Sequence, residues 1–196
     1  MDGSVIAMLV VLALGAYGIV LYNRLVTLKN EFKNAFSQID VQLQRRYELI
    51  PNLVETAKGY LQHEQQTLTA VTEARDHAKS QAEAAAAAPD NAGLVKSLAQ
   101  AESALGSALG RLNVVVESYP ELKADANMQA LFDELVTTDN RVTFARQAYS
   151  DSVMLYNTQR EVFPSNLVAG VFAFREADLF EINDPDIAQP ARVSFA

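Results

Sequence analysis

The residues able to do chemistry are few in this chain of 196, which has two histidines, no cysteine and no tryptophan. His63-Glu64 supplies the first half of a helical zinc-protease motif, in which two histidines share one helix face and the glutamate acts as base. The position for the second histidine holds Thr67, and His77 lies fourteen residues on, about 21 Å along a helix. Paired carboxylates, Glu48 with Glu55 and Asp133 with Glu134, lack the apolar or aromatic flanks that raise a carboxyl toward acid–base work. The glycines are scattered, with no phosphate-cradling loop and no G-x-S-x-G. Without cysteine there is no thiol nucleophile, disulfide, zinc knuckle or lipidated thiol. A net charge of −8 argues against nucleic acid as a partner. These residues predict no catalytic set, no cofactor and no metal, and a chain that is not an enzyme.

A second group of polar residues sits at or beside apolar stripes. Arg45-Arg46 has two uses open to it, a lipid or phosphate contact and a structural one. The pair falls some twenty residues past the apolar N-terminal segment, about 30 Å by helix rise, where screening weakens attraction to a lipid surface. Arg46 falls close to the stripe of its helix, and Asp139 and Arg146 fall close to another. A stripe-side arginine needs a carboxylate, because an unpaired buried charge costs several kcal/mol. The expectation is a polar layer inside a bundle, drawn from Asp40, Arg45, Arg46, Asp139, Asn140, Arg146 and Asn157, with Arg46–Asp139 as one pair to test.

The elements that must position these residues are helices. From Leu25 the apolar residues recur at three and four: Leu28, Phe32, Phe36, Ile39, Leu43, Tyr47, Ile50, Val54, Ala57, Leu61, Leu68 and Val71. One apolar face implies an amphipathic helix. The stripe keeps phase across Pro51, which predicts a kinked continuous helix there, with Gly59 as a second weak point. Ala84–Ala88 and then Pro89-Asp90-Asn91 end it, and Asp90 or Asn91 can cap the next helix. The second stripe is Leu94, Leu98, Ala101, Leu105, Ala108, Leu112, Val115 and Tyr119, opposite small residues such as Gly106 and Gly110. After a turn at Tyr119-Pro120, a third helix is predicted from Asp125 to Val162. A short fourth one follows Phe163-Pro164, from Leu167 to Phe174. Short connections imply antiparallel neighbours.

The mean hydropathy of +0.00 conceals an uneven chain. Ser4 to Tyr22 is apolar except at Ser4, Gly15 and Gly18, and averages roughly +2.3 against roughly −0.25 for the rest. As a helix it spans about 28 Å, the thickness of a bilayer's hydrocarbon core. A signal peptide fits poorly, because Met1-Asp2-Gly3 provides no basic start. Arg24, Lys29 and Lys33 follow the segment against Glu31 alone, which predicts a cytoplasmic body and a short outer N-terminus. The expected organisation is therefore all-α. A membrane anchor spans 1–23, a bundle of three long helices plus a short C-terminal one spans 24–181, and a loose tail spans 182–196.

The motifs together resemble the LemA family of bacterial membrane proteins. Tyr22-Asn23-x-Leu25 follows the apolar segment, and Asp40-Val41-x-Leu43-x-Arg45-Arg46 leads to Leu49-Ile50-Pro51-Asn52-Leu53-Val54. Lys58-Gly59-Tyr60, His63-Glu64, Tyr119-Pro120-x-Leu122-Lys123, Asn140-Arg141-Val142, Ala145-Arg146, Tyr149, Tyr156-Asn157 and Phe163-Pro164-Ser165 follow in order, so the resemblance covers about residues 20 to 181. Asp139 and Ser150 depart from the pattern, which has Glu and Asn there. The resemblance implies a single-pass inner-membrane protein with a cytoplasmic helical bundle and no agreed activity. The resemblance also implies a gene that in some members lies beside that of a membrane zinc protease. The expected function is a membrane-anchored scaffold or adaptor that contacts the lipid bilayer and acts as a homo-oligomer or with other membrane proteins. Alternatives are a lipid or envelope-stress sensor and an accessory subunit of a membrane protease system.

Overall fold

A computed structural model describes residues 3–181, in which every regular element is a helix. These are α1 (Gly3–Lys58), α2 (Gln65–Ala87), α3 (Ala92–Glu117), α4 (Pro120–Lys123), α5 (Ala126–Glu161) and α6 (Ser165–Val171). The expected tail, 182–196, lies outside the described residues.

The apolar segment and the first bundle helix are one element. α1 runs without interruption from Gly3 through the apolar stretch and past Pro51. Its N-terminal part is long and apolar enough to cross a membrane, and none of it is buried in the protein. From Leu25 onward the stripe is buried: Leu25, Leu28, Phe32, Phe36, Ile39, Leu43 and Tyr47 all face the core. Pro51 has no N–H for the carbonyl of Tyr47, four residues back. That carbonyl accepts instead from Arg75 Nε of α2 at 3.0 Å. A helix neighbour thus supplies the donor that proline withholds.

The chain reverses at Gly59, where a single long helix was expected to continue to Ala88. α1 ends at Lys58 and α2 begins at Gln65. The N–H groups of Tyr60 and Leu61 both return to the carbonyl of Ala57, at 3.0 and 2.9 Å. Glycine loses the most entropy in a helix, and reversal lets Leu68, Val71, Ala78, Ala82 and Ala85 face the core that α1 already faces. The stripe stays in phase because one core receives both helices. Among the described residues the bundle therefore has four long helices, not three.

Direction follows from the cross-links between helices. Lys29 and Lys33 of α1 reach Asp90 at 2.9 and 3.2 Å, and Tyr60 donates to Asp125 Oδ2 at 3.1 Å. α2 and α5 therefore run antiparallel to α1, and α3 runs parallel to it. α1 packs most extensively on α5, and α2 packs on α3 and on α1, while α3 and α5 scarcely touch. Asn91 caps α3 by accepting from Gly93 and Leu94, which leaves Asp90 free for its lysines. Asp125 caps α5 through Met128 N at 2.9 Å. At the end of α6, Ala173 takes a left-handed φ of 52°. Phe174 N bonds back to Ala169 O at 2.9 Å and Ala173 N to Gly170 O at 3.3 Å, a Schellman closure in which glycine is the usual residue. The chain then runs from Phe174 to Glu181 without regular structure, as a strap along α5.

Candidate functional site

Two polar constellations stand out, one inside the bundle and one between α5 and the strap. The inner one joins α1, α3 and α5. Arg46, 8% exposed, donates from Nη1 to Glu102 Oε2 at 2.6 Å, and Glu102 is itself only 2% exposed. Tyr47 donates its hydroxyl to the other oxygen, Oε1. Both carboxylate oxygens are thus engaged, as burial of a charge requires. Arg46 Nε also lies 3.0 Å from Asp139 Oδ1, but both atoms are sealed from solvent without an aligned hydrogen bond. The attraction there is coulombic. Asp40 adds a further sealed oxygen, Oδ1, without a partner.

The Arg46 guanidinium thus stands between two carboxylates, Glu102 and Asp139, and Arg146 also lies within coulombic reach of Glu102. Burial pushes the Asp139 carboxyl up and Arg46 pulls it back only in part. Its side chain remains 43% exposed, so burial acts through the single sealed oxygen. Burial pushes the Tyr47 hydroxyl well above its ordinary range, and the Glu102 charge and hydrogen bond add to that. A phenol held neutral against a carboxylate is a fixed donor. It cannot serve as a base.

The outer constellation is a row of side chains on one face of α5 that holds the strap by its backbone. Tyr156 donates to Arg175 O at 2.8 Å. Asn157 donates to Ala177 O at 2.8 Å and accepts from Ala177 N at 3.1 Å. Tyr149 donates to Asp178 O at 2.9 Å. Arg146 donates to Phe180 O from Nε and Nη2, at 3.2 and 3.1 Å, with its guanidinium 5.0 Å from the Phe180 ring centre. Positions 146, 149, 153, 156 and 157 share a face by helical spacing. Asn157 acts on Ala177 as a neighbouring β-strand would, satisfying both backbone groups. Burial pushes the Tyr149 and Tyr156 hydroxyls up and the Arg146 guanidinium down.

The seven residues expected in one layer are therefore distributed over three places. Arg46 and Asp139 meet at the bundle interior, and Asp40 lies near Tyr47, close enough for its charge to act on that hydroxyl. Arg146 and Asn157 hold the strap. Arg45 and Asn140 lie on the surface instead. Arg45 there pairs with Glu134 and, at 3.7 Å, with Glu48, because its position turns one residue away from the stripe that Arg46 joins. Asn140 is similarly one step past Asp139. Glu102 escaped the sequence reading, although it lies four residues after Leu98 and next to Ala101, on the buried stripe. Tyr149 and Tyr156 carry the family resemblance in the sequence, but nothing there marks them as donors to a strap. No group of three or more His, Asp or Glu among the described residues is arranged to hold a metal ion.

The LemA family model matches residues 35–195, which extends past residue 181, the end of the resemblance carried by the motifs. Magnetosome protein MamQ 2 of Paramagnetospirillum magneticum is 27% identical over 195 residues, covering 90% of this chain and 71% of that protein. Magnetosome protein MamQ of Magnetospirillum gryphiswaldense is 25% identical over 177 residues, covering 81% and 64%. Protein LemA of Metamycoplasma hominis is 24% identical over 163 residues, covering 83% and 69%.

Proposed function

The chain belongs to the LemA family, and from that premise we propose that it is a non-enzymatic, membrane-anchored helical scaffold. One observation carries the reading: α1 is a single helix from the exposed apolar segment into the bundle core. A tethered catalyst tolerates a flexible linker. An unbroken helix instead fixes the bundle rigidly to its membrane segment and so sets its distance from the bilayer. Arg24, Lys29 and Lys33 next to the apolar segment favour the bundle on the cytoplasmic face of a bacterial inner membrane. The two polar constellations support the same reading, since Glu102, Arg146 and the three buried tyrosine hydroxyls in them hold helices and strap together.

The test is crosslinking of the full chain in native membranes, read by mass spectrometry. Reproducible crosslinks to a second copy or to other membrane proteins are expected. A strictly monomeric chain with no reproducible neighbour overturns the scaffold reading.

A further inference from the structure

α6 has a buried face and an open one. Ser165 and Ala169 are buried, while Leu167 is 61% exposed and Val171 79%. Phe163 and Phe172, on either side of the helix, are 79% and 59% exposed. Single exposed apolar residues are ordinary, but a contiguous apolar surface marks an interaction site.

Its place in the fold identifies what covers it. The Phe172 ring packs on Tyr22 with centroids 4.7 Å apart, and the Phe174 ring does so at 5.6 Å. Tyr22 is the last residue of the apolar segment, and Asn23-Arg24 follow it. A tyrosine at such a junction sits at the level where hydrocarbon meets headgroups. The open face of α6 is therefore level with that boundary, and its apolar surface continues that of α1.

Charge does not oppose contact with a lipid surface. Arg24 and Arg175 are exposed nearby. Glu161 and Glu176 are both tied to Arg160, at 3.0 and 3.2 Å. A second copy of the chain is a poorer occupant. Four such side chains offer on the order of 500 Å², short of the about 800 Å² per partner in a standard interface.

We propose that α6, with Phe163 and Phe172, lies in the interfacial layer of the bilayer that α1 crosses, as a second membrane contact beside the anchor. The proposal rests on the anchored reading above. One spanning helix leaves the bundle free to tilt. A second contact off its axis holds the tilt. The driving force is apolar burial, so neutral lipid suffices.

The absence of tryptophan makes a direct test available. Leu167→Trp places one fluorophore on the exposed face with little effect on packing, and Phe172→Trp, separately, places one beside Tyr22. Phe144→Trp, at a site 72% exposed on α5, is the solvent reference, and Tyr17→Trp reports on the anchor. Each full-length variant is reconstituted in phosphatidylcholine vesicles containing lipids brominated at a shallow or a deep acyl position. Leu167→Trp and Phe172→Trp should emit to the blue of Phe144→Trp. Shallow bromolipid should quench them severalfold more strongly, and raised salt should not release them. Emission and quenching equal to the reference overturn the proposal, as does a blue shift without quenching, which means a protein cover. If Tyr17→Trp is quenched by deep bromolipid while the α6 probes are not, only this inference fails. If Tyr17→Trp also escapes quenching, the anchored reading fails with it.

Discussion

Glu102→Ala would leave the Arg46 guanidinium buried without the partner of its Nη1 and the Tyr47 hydroxyl without an acceptor. Asp139 remains, but its near oxygen is not aligned to accept. The expected loss is about 3–5 kcal/mol, the cost of orphaning one member of a buried pair, measured by denaturant unfolding. A loss of about 1 kcal/mol, as for an exposed pair, would mean that Asp139 re-aims to take over. Acid titration probes a different residue. Asp90 is held down from 3.8 to about 2, chiefly by its hydrogen bond to Lys29, with burial opposing and Lys33 assisting. A depressed carboxyl stabilises the fold above its ordinary pKa, and that contribution fades as pH falls from 3.8 toward 2. Asp90→Asn should therefore flatten the stability profile in that window, read from melting temperature against pH. Asp139 works with the opposite sign. Burial raises its pKa, so its ionisation disfavours the fold as pH rises through the folded value.

At the scale of elements, the substitution for a missing donor at Pro51 makes a sharp prediction. Arg75→Ala should cost about 1–3 kcal/mol, because the Tyr47 carbonyl loses the donor that replaces proline's absent N–H. In a Pro51→Ala background that cost should shrink, since the restored N–H can bond the same carbonyl. Equal costs in both backgrounds, by a double-mutant cycle, would show that Arg75 acts through something else. Ala173→Gly addresses the end of α6. Its left-handed φ of 52° is a position glycine occupies without strain, and a gain of about 0.5–1 kcal/mol is expected from thermal unfolding. These elements also show what a stripe can and cannot tell. Period and phase located the helix faces, because burial is written every three or four residues, while prolines and cap residues located the ends of α3 and α5. The same phase hid the reversal at Gly59. A stripe records which face meets the core, and two antiparallel helices around one core write the same stripe as one helix. Arg46 was legible as stripe-side because its own helix carried the pattern. Glu102 was not recognised as its partner, because the pairing depends on α3 returning beside α1.

For the whole molecule the strap closes the bundle. α3 and α5 scarcely meet directly, and Ala177 and Phe180 of the strap belong to the main apolar core. Phe174 and Phe180 mark the segment as apolar enough to fold back on the bundle, and both pack on the core, but its composition does not name the donors that hold it. Its irregular backbone is specified by donors on another element, so a pattern confined to residues 174–181 could not reveal it. Four side chains hold one short segment, and this sets how their losses should combine. Asn157→Ala leaves two backbone groups of Ala177 without partners, with an expected cost of about 1–3 kcal/mol. Tyr149→Phe removes one donor to Asp178 O, for about 1 kcal/mol. Once either loss frees the strap, the remaining bonds have less ordered backbone to hold, so the double variant should cost clearly less than the sum. Hydrogen exchange gives the spatial counterpart. Asn157→Ala should lower protection along 174–181 and on the face of α3 toward Lys96, Ala99 and Gln100, which lines the same cleft as the strap. The α1–α2 pair should keep its protection. Additive losses, with exchange altered only at Ala177, would mean that the strap is held point by point and that the bundle closes without it.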